Sequence, residues 1–271
     1  MAKEPKLFQV ERDGPVIIWS LYNPPKNLWD AKTGPEFVQL VEDFYKDTDL
    51  RVGIFTSAMP DVFIQHYDVS LLVNRGEALL KEKPPAAPPR RVAFRRGSKP
   101  IIAAINAPTA GFGCEFVLGL DFRFMSRTAS IAQPEVGVGI LAGGGGTQRM
   151  PRLIGIAKSL ELQLTGRRVF ADEAERIGLI SKACDPLQLM PETIAFAKEI
   201  AARPPLAVHH IRQSIYEGMS MPLEDGLALE SELMAELMKS EDALNLMRAY
   251  VAAGQDAQRL REATEQKQQG Q

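Results

Sequence analysis

The chain has 271 residues, 45% hydrophobic and 24% charged, with a formal net charge of -2. Such a composition describes a folded globular protein with a substantial core and excludes a disordered or fibrous chain. The near-neutral charge gives no reason to bind nucleic acid or an anionic membrane, and two distant cysteines, Cys114 and Cys184, suggest neither a disulfide framework nor a metal site.

The opening "MAKEPKLFQV" lacks the apolar core of a secretion signal, and no uncharged run approaches a membrane span, so a cytoplasmic setting is expected. "PVIIWSLY" (15–22) and "RVGIFTSA" (51–58) read as strands. Between them Phe37, Leu40, Val41 and Phe44 recur at helical spacing, with Thr33 and Pro35 as start signals. "KEKPPAAPPRR" (81–91), with its four prolines, forbids helix or central strand and reads as a polyproline-like surface loop. Its basic flank, Arg90, Arg91, Arg95, Arg96 and Lys99, is either a solvated face or an attractor for a phosphate-bearing substrate.

"KPIIAAIN" (99–106) is apolar throughout, as a strand covered on both faces would be, and "FRFMS" (122–126) is a weaker strand. Strand, helix and strand in succession predict crossover units and a mostly parallel sheet. Beyond residue 150 the pattern turns helical and includes one long amphipathic stretch, Leu223 to Val251. Its stripe of Leu227, Leu233, Met234, Leu237, Leu244, Met247 and Tyr250 is expected to pack on the body or on a sister subunit. The tail from residue 256 is polar and expected to be frayed.

Two glycine-rich runs fail as nucleotide motifs. "AGGGGTQ" (142–148) is not followed by Gly-Lys-Ser/Thr, and "GVGILA" (137–142) follows Pro134 and Glu135 rather than a strand. His209 and His210 are adjacent, so they point to different helix faces and read as structural.

Chemistry concentrates in two carboxylates. In "TAGFGCEFVLGLDF" (109–122), Glu115 stands among residues that read as buried, and a buried carboxylate needs a partner or a raised pKa. "IAQPEVGVGILAGGGGTQRMPRLIG" (131–155) supplies Glu135 as that expected partner, again beside a glycine-rich turn. Either glutamate alone could be a helix cap or an ion pair, whereas together they could address one small molecule.

These two segments, with "TGRRVFADEAERIGLISKA", "NPPKNLWD" and "DVFIQHYDVS" in order, resemble the enoyl-CoA hydratase/isomerase (crotonase) superfamily over roughly residues 8–255. The resemblance implies an α/β spiral of ββα units over residues 1–200, a C-terminal helical trimerisation region over 201–255, and assembly as homotrimers or dimers of trimers, while the polar composition of 256–271 gives a disordered tail. It implies hydration of an α,β-unsaturated acyl thioester, with Glu115 and Glu135 as the acid–base pair and the backbone N–H groups of Tyr67 and Phe112 as an oxyanion hole. Gln65, His66, Asp68, Gly111 and Gly143 are then expected around the substrate. No metal and no separate cofactor is implied, CoA being part of the substrate.

The chain also departs from the family's usual pattern. Gln65-His66-Tyr67-Asp68 replaces a small-Gly-Ala-Asp loop, Ser70 stands where a basic residue is common, and Phe112 replaces a glycine. The "AYVAAGQ" stretch (249–255) lacks the basic residues common near the C-terminal CoA contact. Bulk at His66 and Tyr67 is expected to narrow the CoA groove. The alternatives are an isomerase, a β-diketone-type carbon–carbon hydrolase acting without CoA, with His66 as a base, and a non-catalytic binding paralogue.

Overall fold

The computed structural model describes residues 6–81 and 97–256. The proline-rich loop with Arg90, Arg91, Arg95 and Arg96, and nearly all of the polar tail, lie outside the described residues. The chain divides into two compact units, the first ending at Ala202 and the second beginning at Arg203.

The first unit is built on a mixed sheet. Strands β1 (Phe8–Asp13) and β2 (Val16–Leu21) form an antiparallel hairpin with Phe8 opposite Leu21, turning through Gly14 at φ +57°. The sequence reading missed β1, because its buried-to-exposed pattern has only Phe8 inside. Helix α1 (Thr33–Lys46) then crosses to β3 (Val52–Ser57), parallel to β2. Asp30 Oδ1 accepts the Thr33 and Lys32 N–H groups at 2.8 and 2.9 Å, which fixes the start of the helix. Helix α2 (Val69–Lys81) follows, and β4 (Ile101–Ile105) returns parallel to β3. The short β5 (Thr109–Ala110) leads into helix α3 (Phe112–Leu118), and β6 (Phe122–Ser126) pairs parallel with β4.

Next come β7 (Ser130–Ala132), a single 3-10 turn at Glu135–Val138, helices α4 (Gly146–Ile154) and α5 (Ile156–Thr165), β8 (Val169–Phe170), α6 (Ala171–Arg176), β9 (Lys182–Cys184) and α7 (Leu189–Ala201). Among the described residues the strand orders are β1-β2-β3-β4-β6-β9 and β5-β7-β8. Every residue of β3 and β4 is buried, because one core covers each face. On one side Trp19, Phe37, Phe55 and Phe116 interlock, and on the other Ile18, Ile54, Ile102 and Phe124 pack with Leu189 and Ala197 of α7. Parallel strands present their carboxyl ends together, and the loops leaving β3 and β4 meet there.

Lys99 corrects the reading of a basic flank. Its Nζ donates to the main-chain carbonyls of Phe44 and Asp47 and lies over the Phe44 ring, so its charge serves the α1 terminus rather than a ligand.

In the second unit, α8 (Pro205–Gly218) packs with α9 (Leu223–Met238) where Gly218 and Gly226 allow close approach. The amphipathic stretch expected over 223–251 forms two helices. Ser240 Oγ accepts the Ala243 N–H at 3.3 Å, an N-cap that ends α9 and starts α10 (Glu241–Ala252). Of the expected stripe only Leu233 is buried. His210 is buried with Nε2 3.5 Å from Glu236 Oε2, and burial lowers the His209 pKa. No helix among the described residues is long and apolar enough to cross a membrane.

Candidate active site

The site forms where α3 begins. Gly111, at φ +55°, turns the chain, and Gly113 lets α3 press against the preceding loop: a Cβ there would lie 2.7 Å from the Ile64 carbonyl and 2.2 Å from Thr109 Oγ1. This contact brings segment 64–67 alongside residues 111–113. Gly113 to Leu118 are all buried, so Glu115 is inside as its surroundings in the sequence suggested, only 4% exposed.

Its partner is not the one expected. Glu115 Oε1 accepts the backbone N–H of Gly146 at 2.8 Å, at the start of α4. The glycine tract that fails as a phosphate loop is a carboxylate cradle. A Cβ at Gly144 would meet Glu115 Oε2 at 2.9 Å, one at Gly145 (φ +115°) would meet Arg149 Nη1 at 2.2 Å, and one at Gly146 would meet Ala142 Cβ at 2.7 Å. Each glycine is required by a different neighbour. Burial raises the Glu115 pKa above its ordinary value, the N–H groups of Gly146 and Gly144 offset part of the rise, and the Glu135 charge adds to it.

Glu135 stands at the start of the 3-10 turn. Gln133 Nε2 donates to Glu135 Oε1 at 2.7 Å and to the Gly111 carbonyl at 3.2 Å. Glu135 Oε2 is buried with no hydrogen-bond partner among the described residues. Burial raises this pKa too, offset by its own backbone and by Gln133. Sequence reasoning missed Gln133, Gly144, Gly146 and Arg149. The signal was present in "AQPE" and "GGGGTQR", but the polar partners become visible only once the two segments face each other.

Two backbone amides complete the arrangement. The Trp29 N–H donates to the His66 carbonyl at 2.9 Å, and the Asp68 N–H donates to the Trp29 carbonyl at 2.9 Å. In a trans peptide N–H and C=O point opposite ways, so the Tyr67 N–H is directed away from Trp29. His66 Nδ1, bonded to the Tyr67 carbonyl at 2.7 Å, fixes the next peptide. The Gly111 carbonyl accepts the Glu115 N–H at 3.1 Å within the first turn of α3, which leaves the Phe112 N–H pointing out of the helix start. Neither amide has an acceptor among the described residues.

Glu115, Glu135, Tyr67, Phe112, His66, Gly111 and Gly143 all line one cavity of about 450 Å³. Gln65 and Asp68 do not line it. Asp68 Oδ1 instead accepts the Ser70 N–H at 3.0 Å and its hydroxyl at 2.7 Å, which accounts for Ser70 as a turn partner at the start of α2. The bulk at Tyr67 and Phe112 is directed into an aromatic stack: the two rings lie 5.8 Å apart, and Trp29 lies 5.3 Å from Phe112 and 4.8 Å from Phe116. Cys114 is buried, its thiol pKa raised by burial. No group of three or more potential metal ligands occurs among the described residues.

Comparisons with known proteins give the family. A family profile described as "Enoyl-CoA hydratase/isomerase" matches residues 11–258. The short-chain-enoyl-CoA hydratase of Clostridium acetobutylicum is 33% identical over 252 residues, covering 89% of this chain and 93% of that protein. The crotonyl-CoA hydratase of Syntrophomonas wolfei is 31% identical over 231 residues, covering 84% and 89%. A crystal structure titled as an enoyl-CoA hydratase subunit from Geobacillus kaustophilus superposes with a TM-score of 0.83 at 30% identity, covering 92% of this chain and 96% of that one. The chain is an enzyme of the enoyl-CoA hydratase/isomerase family, with the crotonase fold.

Proposed function

We propose that this protein adds water across the double bond of an α,β-unsaturated acyl-CoA. One observation carries the reading: two carboxylates and two unengaged backbone amides line the same cavity. The thioester oxygen takes the Tyr67 and Phe112 N–H groups, which stabilise the charge that develops when Cβ is attacked. Loss of one such donor typically costs ~3–4 kcal/mol of transition-state stabilisation.

The hydrogen bonds divide the acid–base work. Glu115 has main-chain donors and the N-terminus of α4 to favour its anion, so it acts as base and takes a proton from water as the oxygen bonds to Cβ. Glu135, with Oε2 unpartnered among the described residues, is the carboxyl that delivers a proton to Cα as the enolate collapses. The product is a β-hydroxyacyl thioester. The substrate contacts assigned are His66, Gly111 and Gly143, and the chain's own residues supply the whole of this chemistry without a separate cofactor.

The names of the relatives, short-chain and crotonyl-CoA hydratases, favour a short acyl group. Exposed apolar side chains on the second unit, among them Ile211, Ile215, Leu223, Leu227 and Met234, support a homotrimer or a dimer of trimers, because monomers rarely expose such patches. Two free, buried cysteines suit a reducing, cytoplasmic setting.

Loss of the enoyl-thioester absorbance of crotonyl-CoA on addition of enzyme tests the reading directly. Because His66 lines the cavity, a free β-diketone is assayed beside it. Turnover of the diketone with none of crotonyl-CoA would replace hydration by carbon–carbon hydrolysis.

A further inference from the structure

The Glu115 cradle has a brace that the backbone of α4 does not need. The first turn of α4 is already closed by main-chain bonds, Gln148 N–H and Arg149 N–H to the Gly145 carbonyl at 3.1 and 2.8 Å. The Arg149 side chain nevertheless folds back over that turn. Its Nη1 donates to the Gly144 carbonyl at 2.8 Å, and its guanidinium lies against Gly145, where a Cβ would be 2.7 Å from Cζ. Of the residues it spans, Gly146 donates its N–H to Glu115 Oε1 at 2.8 Å, and Gly144 lies against the carboxylate, where a Cβ would meet Oε2 at 2.9 Å.

We propose that Arg149 is a positioning residue for Glu115: it holds the Gly144–Gly146 turn so that the Gly146 amide meets the carboxylate, and places a positive charge behind it. This rests on the hydration reading. Arg149 is not among the residues that line the Glu115–Glu135 cavity, so its action is through the turn. A charge-bearing brace explains why the tract must be glycine at Gly145 as well as beside the carboxylate. The Arg149 charge favours the Glu115 anion, against the burial that raises its pKa.

The test is Arg149→Met, which keeps length and removes the charge and the fork, beside Arg149→Lys, which keeps charge but not the planar fork. Two readouts are taken on the full-length protein: the pH profile of kcat/KM with crotonyl-CoA, and the titration of Glu115 by NMR of 13C-labelled glutamate, assigned with Glu115→Gln. Removing a nearby cation disfavours the anion, so both the acid limb and the Glu115 titration move to higher pH in Arg149→Met. kcat falls about tenfold or more while KM changes by less than about threefold, and Arg149→Lys lies between. A folded Arg149→Met whose Glu115 titrates as in the wild type overturns the proposal. If Arg149→Met does not fold, the lysine variant decides: lowered kcat at an unchanged melting temperature supports the brace, and wild-type kcat with an unmoved Glu115 overturns it. Absence of crotonyl-CoA hydration by the wild type would defeat the hydration reading alone, since the titration still decides the role of Arg149.

Discussion

Gly146 donates its backbone N–H to Glu115 Oε1 at 2.8 Å, so a carboxylate from one helix is seated on the first turn of another. That bond explains how a charge can be carried at a position only 4% exposed. Helix N-termini favour anions by ~0.3–1 kcal/mol at surface sites and by more when partly buried. The main-chain donor to Oε1 also fixes the direction of the carboxylate.

Glu115→Gln and Glu135→Gln should each lower kcat by about a hundredfold or more, because general acid–base help is worth ~10²–10⁴ in rate. The amide keeps the shape of the side chain, so circular dichroism should be unchanged. Near wild-type turnover in either variant would defeat the two-glutamate mechanism.

The stability of Glu135→Gln should depend on pH. The folded Glu135 has its pKa raised above the ordinary 4.5 by burial. Such a group contributes stability that is fully present below its unfolded pKa and lost as pH rises through the folded one. Removing the ionisable group should therefore raise the melting temperature at neutral and alkaline pH, with the gap to wild type closing as pH falls toward 4.5. A glutamine variant that melts lower than wild type at every pH would show that the carboxylate is held by more than Gln133.

Gly144→Ala tests the cradle. Its Cβ would lie 2.9 Å from Glu115 Oε2 and 3.0 Å from Cδ, so the carboxylate must shift rather than the backbone. Small displacements of a catalytic group are costly, and kcat should fall about tenfold or more with little change in melting temperature. Gly76→Ala, on α2 outside the cavity and with nothing within 4 Å of its Cβ, is the control and should keep activity.

His66 tests how far the altered loop limits acyl-CoA binding. Its side chain lines the cavity, and its Nδ1 braces the Tyr67 carbonyl. Calorimetry with crotonyl-CoA should show weak binding to the wild type and tighter binding to His66→Gly, since relieving an overpacked site recovers ~1–3 kcal/mol. Weaker binding to the glycine variant would mean that the brace outweighs the space.

Light scattering at micromolar concentration should give the mass of a trimer or hexamer. Leu227 and Met234 are each 51% exposed and Val251 64%, an apolar surface that a sister subunit would cover. A stable monomer would count against assembly through the second unit.

The sequence by itself determined the strands and helices whose apolar residues follow a clean period. Ile101–Ile105 is apolar at every position and Val52–Ser57 is buried at every position because both faces are covered, and α1 is amphipathic because one face is. It also marked Glu115 and Glu135 as costly carboxylates. It did not reveal β1, whose residues are mostly exposed, or the break at Ser240, where a local side-chain cap overrides a continuous apolar stripe. Only the tertiary structure decided what the carboxylates pair with. Glu115 takes a main-chain N–H from a tract 31 positions away, a donor every residue but proline possesses and no sequence pattern marks. The direction of the Tyr67 amide was likewise set by Trp29 across a lone β-bridge, since peptide orientation follows from the partner of the neighbouring carbonyl and not from the side chain that names the residue.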